Sequence, residues 1–251
     1  MWDPETYLTF GDQRARPFHD LLARVRAHSP RRVVDLGCGP GTLTSLLARR
    51  WPQAQLEALD SSAEMVAAAR ERGVPAELGD VRAWSPGPDV DVVVCNAVLQ
   101  WVPGHDALLR RWLAGLSPNA WLALQVPANL AAPSHAEVRR LAAEPRWCQL
   151  LDLREPDAVF EPAGYAALLT TRESEVDVWE TTYLHQLRGT DPVLDWITGA
   201  ALRPVRAALS EQEWSAFRAE LAPRLRAAYP AGADGVTWFP FRRIFVVVQV
   251  G

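Results

Sequence analysis

Between Val33 and Thr42 the chain reads VVDLGCGPGT, an apolar pair, then an acid and three glycines at alternate positions, Gly37, Gly39 and Gly41. Glycine-rich turns bring backbone amides close to a ligand and generally cradle a nucleotide. Spacing discriminates among nucleotides. The dinucleotide fingerprint requires G-x-G-x-x-G, but Thr42 stands where its third glycine would be. Asp35 lies two places before Gly37, where a carboxylate repels a pyrophosphate and attracts a cation. A ligand with adenosine at one end and an ammonium beside a sulfonium at the other meets both conditions. That ligand is S-adenosylmethionine.

Further along, the same chemistry finds partners at regular intervals. Gly37, Cys38 and Gly39 form the turn itself. Asp60 closes the next apolar run, where an acid accepts hydrogen bonds from ribose hydroxyls. Ser61 is expected to cap the following helix, with Glu64 three residues on completing a capping box. Met65 would lie against the adenine, Asp80 would accept from its amino group, and the Val81 amide would meet a ring nitrogen. Asn96 and Ala97 follow the fourth apolar run, beside the point where ligands settle in such sheets.

The elements that hold these residues are legible as a rhythm. Short apolar runs at 32–36, 55–59, 75–79, 90–95 and 121–126 read as strands, with helix-period leucines between them, as at Leu43, Leu46 and Leu47. Alternating strands and helices of about ten residues predict βαβ units and a parallel sheet. After Val126 the rhythm changes. Residues 135–155 and 190–228 read as helical, interrupted by strands at 174–187 and 242–250. The expected fold is α/β, a Rossmann-like class I methyltransferase. Its seven-stranded, mostly parallel sheet has an antiparallel last strand, helices on both faces and a helical cap. It would form one domain over 1–251: a helical lid at 1–30, a cofactor-binding core at 31–126, cap segments at 127–173 and 188–240, and final strands at 174–187 and 241–250.

Composition narrows the partners. A net charge of −4 gives no general attraction to nucleic acid or an anionic membrane. All 26 basic residues are Arg, which excludes a Schiff-base lysine and a Walker lysine. The three cysteines are widely spaced and form no metal motif or disulfide framework, so no metal is expected. The first residues lack the order of a signal peptide and no apolar run approaches a membrane span, so a cytoplasmic protein is expected. A monomer is the working expectation for its oligomeric state.

With those residues in hand, the chain resembles the trans-aconitate 2-methyltransferase family along nearly its whole length. The resemblance is carried by WDPETYLTFGDQRARP, VVDLGCGPGTLTSLLARRWP, NAVLQWVPGH, QVPANLAAPSH, VDVWETTYLHQL, DWITGAALRPV and FPFRRIFVV. It departs at Glu173 and Ser174, where the family tends to have Gly-Cys. The resemblance implies methyl transfer from S-adenosylmethionine to one carboxylate of trans-aconitate, giving a monomethyl ester. A different small carboxylic acid is the alternative acceptor.

Such a reaction needs no acid–base dyad, since a carboxylate is ionised at neutral pH. No catalytic residue is expected beyond positioning, with Gln100 and Trp101 near the transfer centre. A trianion does need cationic partners. Candidates are Arg14 and Arg16, one of which would hold the cofactor carboxylate (Arg14 in our assignment), together with Arg203 and either Arg242 or Arg243. Adjacent strand residues face opposite ways, and Arg242 is assigned to the site. Tyr7, Trp101, Gln125, Asn129, His135, Tyr183 and His185 complete the expected substrate set. His19 and His28 are expected at the surface, and His105 at a helix start.

Overall fold

The computed structural model describes residues 11–151, 153, 159–199 and 201–251, with side chains from residue 15 onward. Seven strands form one sheet in the order β3-β2-β1-β4-β5-β7-β6. Their bounds are β1 Arg32–Leu36, β2 Gln55–Asp60, β3 Ala76–Leu78, β4 Val90–Asn96, β5 Trp121–Pro127, β6 Ser174–Leu187 and β7 Thr237–Val250. β1 to β5 run parallel, and β7 pairs antiparallel with both β5 and β6. Strand order reverses between β1 and β4, which opens a crevice at the carboxyl edge.

The helices among the described residues are α1 Gly11–Leu22, α2 Thr44–Arg50, α3 Ala63–Glu71, α4 His105–Gly115, α5 Pro133–Ala142, α6 Pro162–Leu169, α7 Pro192–Thr198, α8 Arg203–Ala208 and α9 Glu211–Ala228. One face of the sheet packs Val34, Val93, Leu124 and Val246 against Leu109 and Trp112 of α4 and Tyr165 of α6. The opposite face packs Val33, Val94, Ala123 and Phe245 against Phe18 and Leu21 of α1 and Leu47 of α2. A second core lies in the cap. There Leu141, Trp147, Trp196, Phe217 and Leu221 gather on Leu187, Phe239 and Phe241, at the ends of β6 and β7.

Four local expectations need correction. The segment expected to be helical to 155 ends its regular helix at Ala142. The stretch 190–228 is three helices; Pro192 and Pro204 begin the first two, where a missing amide costs nothing. The third, α9, starts from a Ser210–Glu213 capping box. Helix α6 was not anticipated because PAGYAALL is apolar nearly all round and shows no polar stripe. β7 begins at Thr237, five residues before the expected start, because Phe239 and Phe241 continue its inward alternation into the cap core.

Candidate active site

The glycine turn is built by contact, not by composition alone. Gly37 adopts φ +81°, and a Cβ there would lie 2.2 Å from Val98 Cγ2. The amides of Gly37 and Cys38 both donate to the Leu59 carbonyl, at 2.7 and 3.0 Å. Asp60, at the tip of β2, is oriented by the Gly39 amide at 2.8 Å and the Ser62 amide at 2.9 Å. Each oxygen keeps a lone pair for a ribose hydroxyl. Asp35 is 3% exposed and accepts from Thr44 Oγ1 at 2.7 Å. Burial pushes its carboxyl up to about 6; Thr44 opposes this and Asp60 adds to it. A buried carboxylate in that state gains from a cationic ligand.

Two more acceptors lie at the end of β4 and in the short turn after it. Asn96 Oδ1 and Gln100 Oε1 are buried and have no hydrogen-bond partner among the described residues. Between them Ala97 holds φ +58°, its amide donating to the Gln125 carbonyl at 2.8 Å and its own carbonyl accepting Gln100 Nε2 at 2.7 Å. A left-handed alanine costs about 1–3 kcal/mol and persists where surroundings over-determine it. Trp101 ends the short 3₁₀ turn Leu99–Trp101 and is 49% exposed.

The helix after β2 is capped by Ser62, not Ser61. Ser62 Oγ accepts the Met65 amide at 3.3 Å and itself donates to Glu64, so no capping box forms. The chain must turn one residue further because Asp60 captures the Ser62 amide, and Ser61 is left exposed. Met65 is buried on α3, and Val81 is buried beside the β4 face. Asp80 is gripped by the Arg82 guanidinium, which holds its carboxyl below the usual range.

On the acceptor side the structure redistributes the expected residues. Gln125 is 0% exposed, and its Oε1 accepts Arg243 Nη1 at 2.9 Å. Arg243 is 6% exposed, with its guanidinium over the Phe241 ring. Arg16 stands over the Tyr183 ring at 5.1 Å, and Tyr183 donates its hydroxyl to Asp20 at 2.6 Å. His185 is buried and stacks on Trp196, centroids 4.3 Å apart. Burial holds the Arg203 guanidinium of the cap below its ordinary value, and the charge of Asp60 opposes this.

Arg242 is not in this group. Its guanidinium lies on the other face of the sheet, clamped between Glu161 and Glu180. Alternation along β7 assigns one arginine to each face, and the inward one is Arg243. Asn129 is likewise a strut: its amide donates to the Arg242 carbonyl at 2.9 Å and accepts the Arg242 amide at 2.8 Å. His135 sits beside Ser134 Oγ, and burial lowers it to about 4, so it carries no charge near neutrality. His105 does begin α4, buried against the Tyr165 hydroxyl at 3.0 Å, and His19 and His28 are exposed. Tyr7 and the side chain of Arg14 lie outside the described residues. Sequence reading missed Asp20 and Trp196; only their partners Tyr183 and His185 signal them.

Residue parity unites the site. Val33, Val94, Ala123, Phe245 and Tyr183 share the α1 face. Asp35, Asn96, Gln125, Arg243 and His185 lie two residues beyond each of them toward the carboxyl edge, hence on that same face. Along this row the character changes from acceptors on β1 and β4 to donors on β5 and β7.

The sequence profile of the methyltransferase domain family matches residues 10–170. The chain is 61% identical over 254 residues to trans-aconitate 2-methyltransferase of Mycobacterium sp. (strain KMS), covering all of both chains. It is 58% identical over 254 residues to the same-named protein of Mycobacterium tuberculosis (strain ATCC 25177 / H37Ra), covering 100% of this chain and 97% of that one. In fold it is similar to the YcgJ protein from Bacillus subtilis, with TM-score 0.58 at 14% identity, covering 94% and 98% of the two chains. It is also similar to Haemonchus contortus phosphoethanolamine N-methyltransferase 2, solved with phosphomonomethylethanolamine and S-adenosylhomocysteine. That TM-score is 0.56 at 15% identity, with 94% of this chain and 53% of that one covered. The glycine turn, the acid-tipped strands and the full-length identity together place this chain in the trans-aconitate 2-methyltransferase family.

Proposed function

We propose that this chain transfers a methyl group from S-adenosylmethionine to a carboxylate of trans-aconitate, forming the monomethyl ester and S-adenosylhomocysteine. The observation that carries this reading is the sorting of buried polar atoms along one sheet face. Asp35, Asn96 Oδ1 and Gln100 Oε1 present acceptors to a cationic amino-acid end. Gln125, Arg243 and the nearby Arg16 and Arg203 present donors to a polyanion. The cradle fits the cofactor: a Cβ on Gly39 would meet nothing within 4 Å, so the turn leaves open space there, and Asp60 stands ready for a ribose. When bound, the cofactor supplies a methyl group on sulfonium with a neutral thioether as its leaving group.

The protein's own part is alignment. Its arginines offset the cost of taking carboxylates from water, several kcal/mol each. Tyr183, His185 and Trp196 wall the site from solvent. Holding well-oriented reactants together lowers a barrier by roughly 7–11 kcal/mol, so no general base is needed. We assign residues 31–126 to the cofactor core, with the cap and the final strands following it. The cysteines Cys38, Cys95 and Cys148 are free, which suits a reducing compartment, and we place the enzyme in the cytoplasm. No helix among the described residues is long and apolar enough to cross a membrane.

The test is product mass after incubation with S-adenosylmethionine and trans-aconitate, with cis-aconitate, isocitrate and citrate in parallel. Trans-aconitate gaining one methyl group fastest is the expected result. Faster methylation of another acid moves the assignment to that acceptor. Cofactor binding without any product would make the chain a sensor.

A further inference from the structure

The amide of Gln125 has one end occupied and one end open. Arginine carries only donors, so the atom facing Arg243 Nη1 must be Oε1, which fixes the amide's orientation. Nε2 therefore points the other way. It is buried and has no hydrogen-bond partner among the described residues. A buried donor without a partner is costly, and native structures keep one where another state supplies the acceptor. Gln125 on β5 pairs in register with Asn96 on β4, one strand over from the switch point, so it lies where the acceptor-rich and donor-rich halves of the row meet.

We infer that Gln125, oriented by Arg243, is the positioning residue for the reacting carboxylate: Nε2 donates to the oxygen that does not attack. The inference rests on the methyltransferase reading above. In that reaction one carboxylate oxygen bonds to the methyl carbon as the carbon–sulfur bond breaks, and the electron pair stays on sulfur. No proton moves, and a carboxylate and a sulfonium become a neutral ester and a neutral thioether. A cation paired with the reacting carboxylate would bind the ground state better than the transition state, because that negative charge is being lost. A neutral amide avoids this penalty. The oxygen it holds becomes the ester carbonyl and remains an acceptor throughout. The arginines are thereby left for the carboxylates that keep their charge.

The test separates rate from binding. In Gln125→Met, kcat for trans-aconitate falls by about 30-fold or more, while its Kd for the S-adenosylhomocysteine complex, by calorimetry, changes less than about fivefold. Affinity for S-adenosylhomocysteine itself stays within about twofold. Gln125→Glu keeps the shape and Arg243's partner but opposes an acceptor to the carboxylate, so it weakens polycarboxylate binding as well. A kcat within about threefold of wild type in Gln125→Met overturns the inference. So does a loss confined to binding, or one that follows cofactor affinity. Should Gln125→Met fail to bind S-adenosylhomocysteine, Q125E carries the test: unchanged carboxylate binding there overturns the contact. A wild-type complex that binds trans-aconitate without turnover refutes the proposed function, and the Q125E binding comparison still decides whether the amide reads a carboxylate.

Discussion

Asp35 has two opposed effects. Its carboxyl is raised from 3.8 to about 6 chiefly by burial, so the folded state holds that proton more tightly than the unfolded chain. Stability of the ligand-free protein therefore falls as pH rises from about 4 to about 6 and stays lowered above. At pH 8 the buried charge costs on the order of 1–3 kcal/mol. Asp35→Asn keeps an acceptor for Thr44 and removes the charge. It should raise the denaturant midpoint of the ligand-free protein at pH 8 and flatten its pH dependence, while weakening S-adenosylhomocysteine binding by about tenfold or more. Wild-type affinity should itself drop as pH falls through about 6. A mutant with undiminished affinity would show that the ammonium lies elsewhere.

Elements carry a different kind of constraint. β7 must deliver Arg243 to the site and Arg242 to the opposite face, and where it runs past the end of β5 at Arg243 it is held by a side chain as well as by the ladder. Asn129, following β5, makes two hydrogen bonds to the Arg242 backbone, and the Ala128 amide adds a third at 3.0 Å. In Asn129→Ala the Arg242 amide loses its acceptor, a cost of about 1–3 kcal/mol. Stability by denaturant titration should fall by that amount, with KM for trans-aconitate within about threefold of wild type. A large KM effect at unchanged stability would return Asn129 to the substrate.

At the scale of the whole molecule, charge and function point in opposite directions. The chain carries −4 overall, yet the proposed substrate is a trianion. Which influence dominates is a matter of distance. Charges within a Debye length of the ligand, about 8–10 Å at physiological salt, act on it with little screening, and Arg16, Arg203 and Arg243 are the ones assigned to that role, whereas the net charge is spread over the surface. Local attraction should win, so KM for trans-aconitate should rise with sodium chloride between about 20 and 200 mM. A KM that falls with salt would mean that net repulsion, not the arginine cluster, governs capture.

Much of this was legible in the order of residues. The turn at Gly37–Gly41 and the acids ending β1 and β2 could be read directly, because glycine spacing and period-two runs are local properties of the chain. The bounds of β1 and β6 likewise follow from their runs. The choice between Arg242 and Arg243 was not legible. From Ile244 to Val248 β7 is buried on both faces, so no alternation of polarity marks which side is inward. Helix α6 was hidden for the same reason, being apolar around its circumference. Only packing of β7 between β5 and β6 assigns a face to each arginine, and only the carbonyl of Gln125 meeting Arg243 determines which way that amide's donors point.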